Sequence, residues 1–147
     1  MNHAESTKTV AKLGTADTTT AQTFTHSIDT LGYDYASIDV VFEANAATTN
    51  AVATALKLGQ GDTTAAYTDI TAYVGGGSGG FTIPTTSLTD ASNVVRFNVD
   101  MRGKKRYLNV SATPIAASVV CAVAQLSKAE VGPANASEAG VAAVVSG

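Results

Sequence analysis

Apolar and polar residues alternate with a period of two through most of the stretch from Thr23 to Leu126, the spacing of a β-strand with one face buried. Phe24, His26 and Ile28 alternate with Thr25, Ser27 and Asp29 and predict a first strand. After a turn at Leu31-Gly32-Tyr33-Asp34, Ala36, Ile38, Val40 and Phe42 share one face, opposite Ser37, Asp39, Val41 and Glu43. Val52, Thr54, Leu56 and Leu58 continue the pattern against Ala53, Ala55 and Lys57. Helix competes there because of the alanines, but Thr48-Thr49-Asn50 oppose it and Gly59-Gln60-Gly61-Asp62 closes the segment at strand length.

Tyr67 to Val74 alternates again, with Thr68, Ile70, Ala72 and Val74 on one side and Tyr67, Asp69, Thr71 and Tyr73 on the other. A glycine-rich loop at residues 75–80 leads into a short strand, Phe81-Thr82-Ile83, stopped by Pro84. Val95, Phe97, Val99 and Met101 form the next alternation and are expected to share a core with that strand. Arg102-Gly103-Lys104-Lys105 reads as a basic hairpin tip, from which Arg106 to Thr113 returns as a strand ending at Pro114. Val119 to Leu126 is apolar on both faces, which places it centrally in a sheet.

The termini differ from this middle. Residues 1–22 are Thr-rich and weakly periodic, and read as an extended N-terminal arm; residues 131–147 hold Gly132-Pro133, Asn135 and Gly140 among small residues, and read as a C-terminal arm. Neither has the apolar surface to offset its ordering entropy, so both are expected to lie on neighbouring molecules. Roughly eight short strands punctuated by Gly, Pro and Asn, with no helix, predict an all-β fold: an antiparallel β-sandwich or jelly-roll-like single domain over residues 23–130, flanked by the two arms.

At 147 residues the chain has the size of one domain and can bury a core without disulfides or metals. Ala, Thr and Gly fill 60 positions while charged residues make up 14%, against about 25% in an average domain. The surface polarity therefore comes from Thr, Ser and Asn, which suits lying against other protein. A net charge of −3 supplies no basic field for nucleic acid, and no apolar run is long enough to span a membrane or serve as a secretory h-region. Asn135-Ala136-Ser137 fits a glycosylation sequon and is read as a polar turn.

Chemistry has no visible carrier. The single cysteine, Cys121, cannot pair within the chain; its apolar strand makes it buried packing, and neither His3 nor His26 has a local context tying it to that thiol. The glycine loop lacks the Lys-Ser/Thr of a phosphate-binding loop and precedes a strand. Asp29, Asp34, Asp39 and Glu43 are spaced so as to point apart, while Asp62, Asp69, Asp90 and Asp100 form no calcium loop. No histidine pair has metal-ligand spacing, and no Gly-x-Ser-x-Gly occurs. The expectation is no catalysis, no cofactor and no metal. One charge cluster stands out: Arg102, Lys104, Lys105 and Arg106, four cations in five positions, which read either as a solvated turn or as a contact for an acidic protein surface.

The stretches Ile28 to Val40 (IDTLGYDYASIDV) and Phe97 to Leu108 (FNVDMRGKKRYL) resemble small virion proteins of tailed bacteriophages, as do Leu56-Lys57-Leu58 before Tyr67-Thr68-Asp69-Ile70 and Ala124 to Glu130 before the small-residue tail. Together they cover residues 28–140. The resemblance is to capsid decoration, or cement, proteins. It implies a trimeric β-sandwich on the outer surface of an icosahedral head, bound to the major capsid protein and tying neighbouring capsomers together, with no catalysis, cofactor, nucleic acid or membrane partner. Arg102, Lys104, Lys105 and Arg106 are then the expected capsid contacts. A tail or head-completion component, or a carbohydrate- or receptor-binding β module, is the alternative.

Overall fold

The structure is a computed structural model and describes residues 6–14, 21–43, 51–85, 93–129 and 131–144. His3, Asp90, residues 1–5 and 15–20 of the N-terminal arm and residues 145–147 of the C-terminal arm lie outside the described residues. Eight strands follow in chain order: β1 (Lys8–Leu13), β2 (Phe24–Asp29), β3 (Tyr33–Phe42), β4 (Ala53–Thr63), β5 (Ala66–Val74), β6 (Val94–Asp100), β7 (Tyr107–Pro114) and β8 (Val120–Ala129).

They form two four-stranded antiparallel sheets, ordered β1-β8-β3-β6 and β2-β7-β4-β5. β1 pairs with β8, β2 with β7, β3 with β6 and β4 with β5. The chain is thus one long two-stranded ribbon, folded at the β4–β5 turn and rolled so that successive pairs enter opposite sheets. This is the jelly-roll form of the β-sandwich that the alternation predicts.

The inward faces are the apolar half of each alternation. Phe24 and Ile28 from β2, Ala36, Ile38, Val40 and Phe42 from β3, Leu108, Val110 and Ala112 from β7, and Ala122, Ala124 and Leu126 from β8 are all buried in one core. Phe97 of β6 meets Phe81 and Tyr73 edge-on at centroid distances of 5.5 and 5.7 Å, so the Phe81 segment shares the core as expected. β8 lies between β1 and β3, an interior position.

Several expectations are corrected. β4 does not close at Gly59-Gln60-Gly61-Asp62 but runs through to Thr63, and a register shift between Ala53 and Ala55 leaves Thr54 exposed while Val52, Leu56 and Leu58 are buried. On β5 a register shift opposite Lys57 and Gly59 breaks the two-residue period, and Ile70 and Tyr73 both pack against the core. Phe81-Thr82-Ile83 is not a strand; only isolated bridges, Gly75 to Phe81 and Ala51 to Thr85, flank it. Cys121 is not buried: Val120 and Ala122 face inward, so the thiol is half-buried on the outward face. The connection carrying the four cations is not a hairpin tip, because β6 and β7 belong to different sheets and the turn between them crosses the end of the sandwich.

Within residues 1–22, Lys8–Leu13 form the edge strand β1. The C-terminal segment folds back beside it: Thr9 donates its amide to the Ala139 carbonyl at 2.8 Å, and Gly140 (φ 73°) lies so close that a Cβ there would sit 1.8 Å from the Thr9 oxygen. The sequon does form a polar turn, in which the Asn135 side chain accepts from the Glu138 amide at 2.9 Å and donates to its carboxylate at 3.0 Å.

Candidate functional site: the charged end of the sandwich

The β6–β7 connection begins with a tight turn in which Lys104 donates its amide to the Met101 carbonyl at 2.9 Å. Gly103 occupies the left-handed conformation (φ 80°) that this turn requires. Buried Met101 anchors the start, its amide bonded to the Asp34 carbonyl at 2.7 Å. The end is fixed by Thr30, whose amide and hydroxyl both donate to the Arg106 carbonyl, at 3.1 and 2.5 Å. The Lys105 amide is held by the Gln60 side chain at 3.1 Å.

This scaffold brings all four cations together, but not as a free basic patch. Arg102 grips Asp100 through Nε (2.9 Å) and Nη2 (2.6 Å), Lys105 reaches Asp62 at 2.6 Å, and Arg106 forms a two-bond pair with Asp29 at 2.9 and 2.7 Å. Lys104 alone of the four is exposed with no ion pair among the described residues. Arg102 and Lys128 both approach the ring of Tyr35, at 5.4 and 5.5 Å, and Lys128 also pairs with Asp34 at 3.5 Å; Arg106 lies over Tyr107 at 4.8 Å. Five cations thus interleave with four carboxylates, and the region is nearly neutral with one projecting ammonium.

The electrostatics follow the contacts. Hydrogen bonds from the Arg102 side chain and backbone hold Asp100 down at about 2. The Arg106 guanidinium lowers Asp29, and Arg96 on β6 lowers Asp39 on β3 through bonds of 2.6 and 2.7 Å. These groups are fixed charges at neutral pH. Every described aspartate, Asp29, Asp34, Asp39, Asp62, Asp69 and Asp100, stands in an ion pair. Glu43 accepts the Val119 amide at 2.9 Å. Among the described residues no three His, Cys, Asp or Glu side chains cluster as a metal site would need.

His26 faces inward as its alternation predicts and is 7% exposed. Its Nε2 has no hydrogen-bond partner, and burial followed by the charge of Lys12 pushes its pKa down, against a Val10 backbone bond that raises it. Lys12 closes the seam between the edge strands β1 and β2 by donating to the Thr25 carbonyl at 2.6 Å across the ring of Phe24. An open groove of about 410 Å³ lies between Lys8, the Leu31-Gly32 turn and the Val131–Pro133 segment.

No protein-family model matches the chain, and neither the curated proteins nor the solved structures hold a match to it. The charge pairing was only partly readable beforehand. Asp100 and Arg102 are two residues apart, whereas Asp29 and Asp62 reach the cluster only because β2 and β4 flank β7. A second feature went unread: Leu13, Cys121, Val41 and Val94 are register partners across all four strands of the first sheet. Its signal lay in the apolar doublets Val40-Val41 and Val94-Val95, where alternation lapses.

Proposed function

We propose that this chain is a virion structural protein, a capsid decoration or cement protein that binds the outer surface of a tailed-bacteriophage head. It acts as a homo-oligomer, a trimer, ties neighbouring units of the major capsid protein together, and carries out no catalysis. The observation that carries this reading is the rolled ribbon of eight strands, an architecture shared with viral capsid and lectin domains. Fold alone does not fix function. The reading therefore also leans on the resemblance of residues 28–140 and on outward strand faces of small neutral side chains, such as Ser37, Asn98 and Gln125 on one sheet and Ser27, Asn109 and Ser111 on the other.

The charged end supplies orientation. Lys104 is the direct contact for an acidic patch on the shell, while Arg102, Lys105 and Arg106, held by their own carboxylates, fix the turn that presents it. One exposed contact contributes about 0–1 kcal/mol, and a trimer presents it three times, so linked weak contacts add up to avidity.

The test is binding to purified phage heads stripped of the protein, together with immunogold labelling of intact virions. Saturable binding on the outer head surface that weakens with salt is expected. Labelling on the tail, or binding to glycans with none to heads, overturns the reading.

A further inference from the structure

β1 is seated more lightly than any other strand. It gives the core one apolar side chain, Val10, while Ala11, Lys12 and Leu13 are exposed. Backbone pairing with β8, continued by the Gly14 amide on the Val120 carbonyl at 2.7 Å, holds it in its own sheet. The C-terminal segment, residues 131–144, sits on β1 in turn through the bond between the Thr9 amide and the Ala139 carbonyl, and its Val131 and Val144 stay exposed. Two contacts fasten β1 to the second sheet. Lys12 donates to the Thr25 carbonyl over the Phe24 ring, and the Val10 backbone bonds the ring of His26 on β2.

His26 is nine-tenths buried in that seam, with no partner for Nε2. Nothing around it answers a second ring proton. From β1 comes Lys12, another cation, while Lys8 on the same strand acts on Asp29 instead. On β2 the Phe24 ring lies 6.5 Å away between centroids, and β7 and β8 turn Val110, Ala112, Ala122 and Ala124 inward. No carboxylate among the described residues acts on it. Protonation in the closed seam therefore buries an N–H without an acceptor and sets two cations side by side, a cost that water removes once the seam opens. Without the seam, β1 keeps only its pairing to β8 and one core side chain, too little to offset the ordering of six residues.

We propose that β1 and the C-terminal segment form a strap that opens as one unit when His26 takes up a proton, baring the backbone edge of β8. The proton binds the open form better, so opening rises as pH falls below the ordinary histidine value of 6.5. At pH 5 the rise is at most about thirtyfold, the ratio of protonated to neutral imidazole in water. Asp29, Asp39 and Asp100, held below the ordinary carboxylate value, keep their charge there, so the rest of the sandwich stays closed. The strap acts in the free chain, whether or not that chain binds a capsid.

Hydrogen exchange on the full chain at pH 7 and pH 5, corrected for the intrinsic rate at each pH, tests it. The Thr9 and Gly14 amides are expected to exchange about three- to thirtyfold faster at pH 5, both by the same factor, while amides of β4 and β7 change less than about twofold. His26→Leu should abolish the acid response, and His26→Gln should do the same with a polar side chain. His3→Ala should leave it intact. Lys12→Gln removes both the second cation and the Thr25 bond, so it should speed exchange of the two amides already at pH 7 and shrink the ratio between pH 5 and 7. An acid response shared by β4 and β7, one confined to Thr9, one that persists in both His26 variants, or none at all overturns the proposal.

Discussion

Arg106 and Asp29, 77 residues apart in sequence, meet through two parallel hydrogen bonds of 2.9 and 2.7 Å where β2 ends and β7 begins. Beside them the Thr30 amide and hydroxyl converge on the Arg106 carbonyl, so side chain and backbone both fasten the inter-sheet connection to the second sheet. The ion pair is open to water and the backbone bonds survive its loss. Arg106→Ala is therefore expected to lower the urea midpoint only slightly, as loss of an exposed pair does. A midpoint that falls as far as for a buried core truncation such as Leu108→Ala would mean that the side chain itself holds the connection.

Acid should destabilise the fold in a defined window. Asp29, Asp39 and Asp100 are all depressed in the folded chain, Asp100 to about 2, from an ordinary value of 3.8. As pH falls the unfolded chain takes up these protons first. The stability the three groups contribute is complete above about pH 4 and is lost as pH drops through their folded values. Asp100→Asn combined with Asp39→Asn should flatten the fall in melting temperature between pH 4 and 2.

His26 governs a higher window. Its folded pKa lies below the ordinary 6.5, so its contribution is present above that pH and lost as pH falls through the folded value. Replacement by Leu, which needs no partner for the buried Nε2, is expected to remove the slope of stability between pH 7 and 5. An unchanged slope in His26→Leu would place its origin elsewhere.

Gly140 sets the seat of the C-terminal segment on β1. An added Cβ would collide with the Thr9 carbonyl, and the backbone is in the left-handed region that costs other residues about 1 kcal/mol or more. In Gly140→Ala the Thr9 amide should lose its Ala139 partner and exchange hydrogen faster, while amides of β3 and β8 keep wild-type protection.

Lys104 and Lys105 should separate cleanly. Lys104→Glu disturbs no ion pair and is expected to keep stability within about 0.5 kcal/mol while lowering head occupancy. Lys105→Glu sets two carboxylates together at Asp62 and should destabilise by a further few tenths of a kcal/mol to about 1. Equal occupancy of Lys104→Glu and wild type at low salt would return the cluster to a solvated turn.

The period-two alternation of β2, β3 and β6 determined by itself that these segments are strands and which side of each is buried, because an apolar residue at every second position has only one face to hide; β8, apolar on both faces, showed itself as a strand but not which side is buried, so Cys121 was placed in the core. The sequence also showed the four cations as one cluster, but as the tip of a hairpin, because no local pattern tells that β6 and β7 enter different sheets. β1 was hidden, since Thr9, Ala11 and Leu13 face outward and Lys8 and Lys12 lean inward, a pattern without an apolar side. The shift on β5 was hidden too, because a bulge changes which side chains face the core without changing composition.

Tertiary structure alone decided the rest. Pairing each strand with its counterpart across the ribbon depends on long-range register, which no local pattern encodes. That register puts Asp29 and Asp62 beside Arg106 and Lys105, turning a run of cations into a nearly neutral network. It also lines up Leu13, Cys121, Val41 and Val94, four residues from four separate segments, into one exposed row.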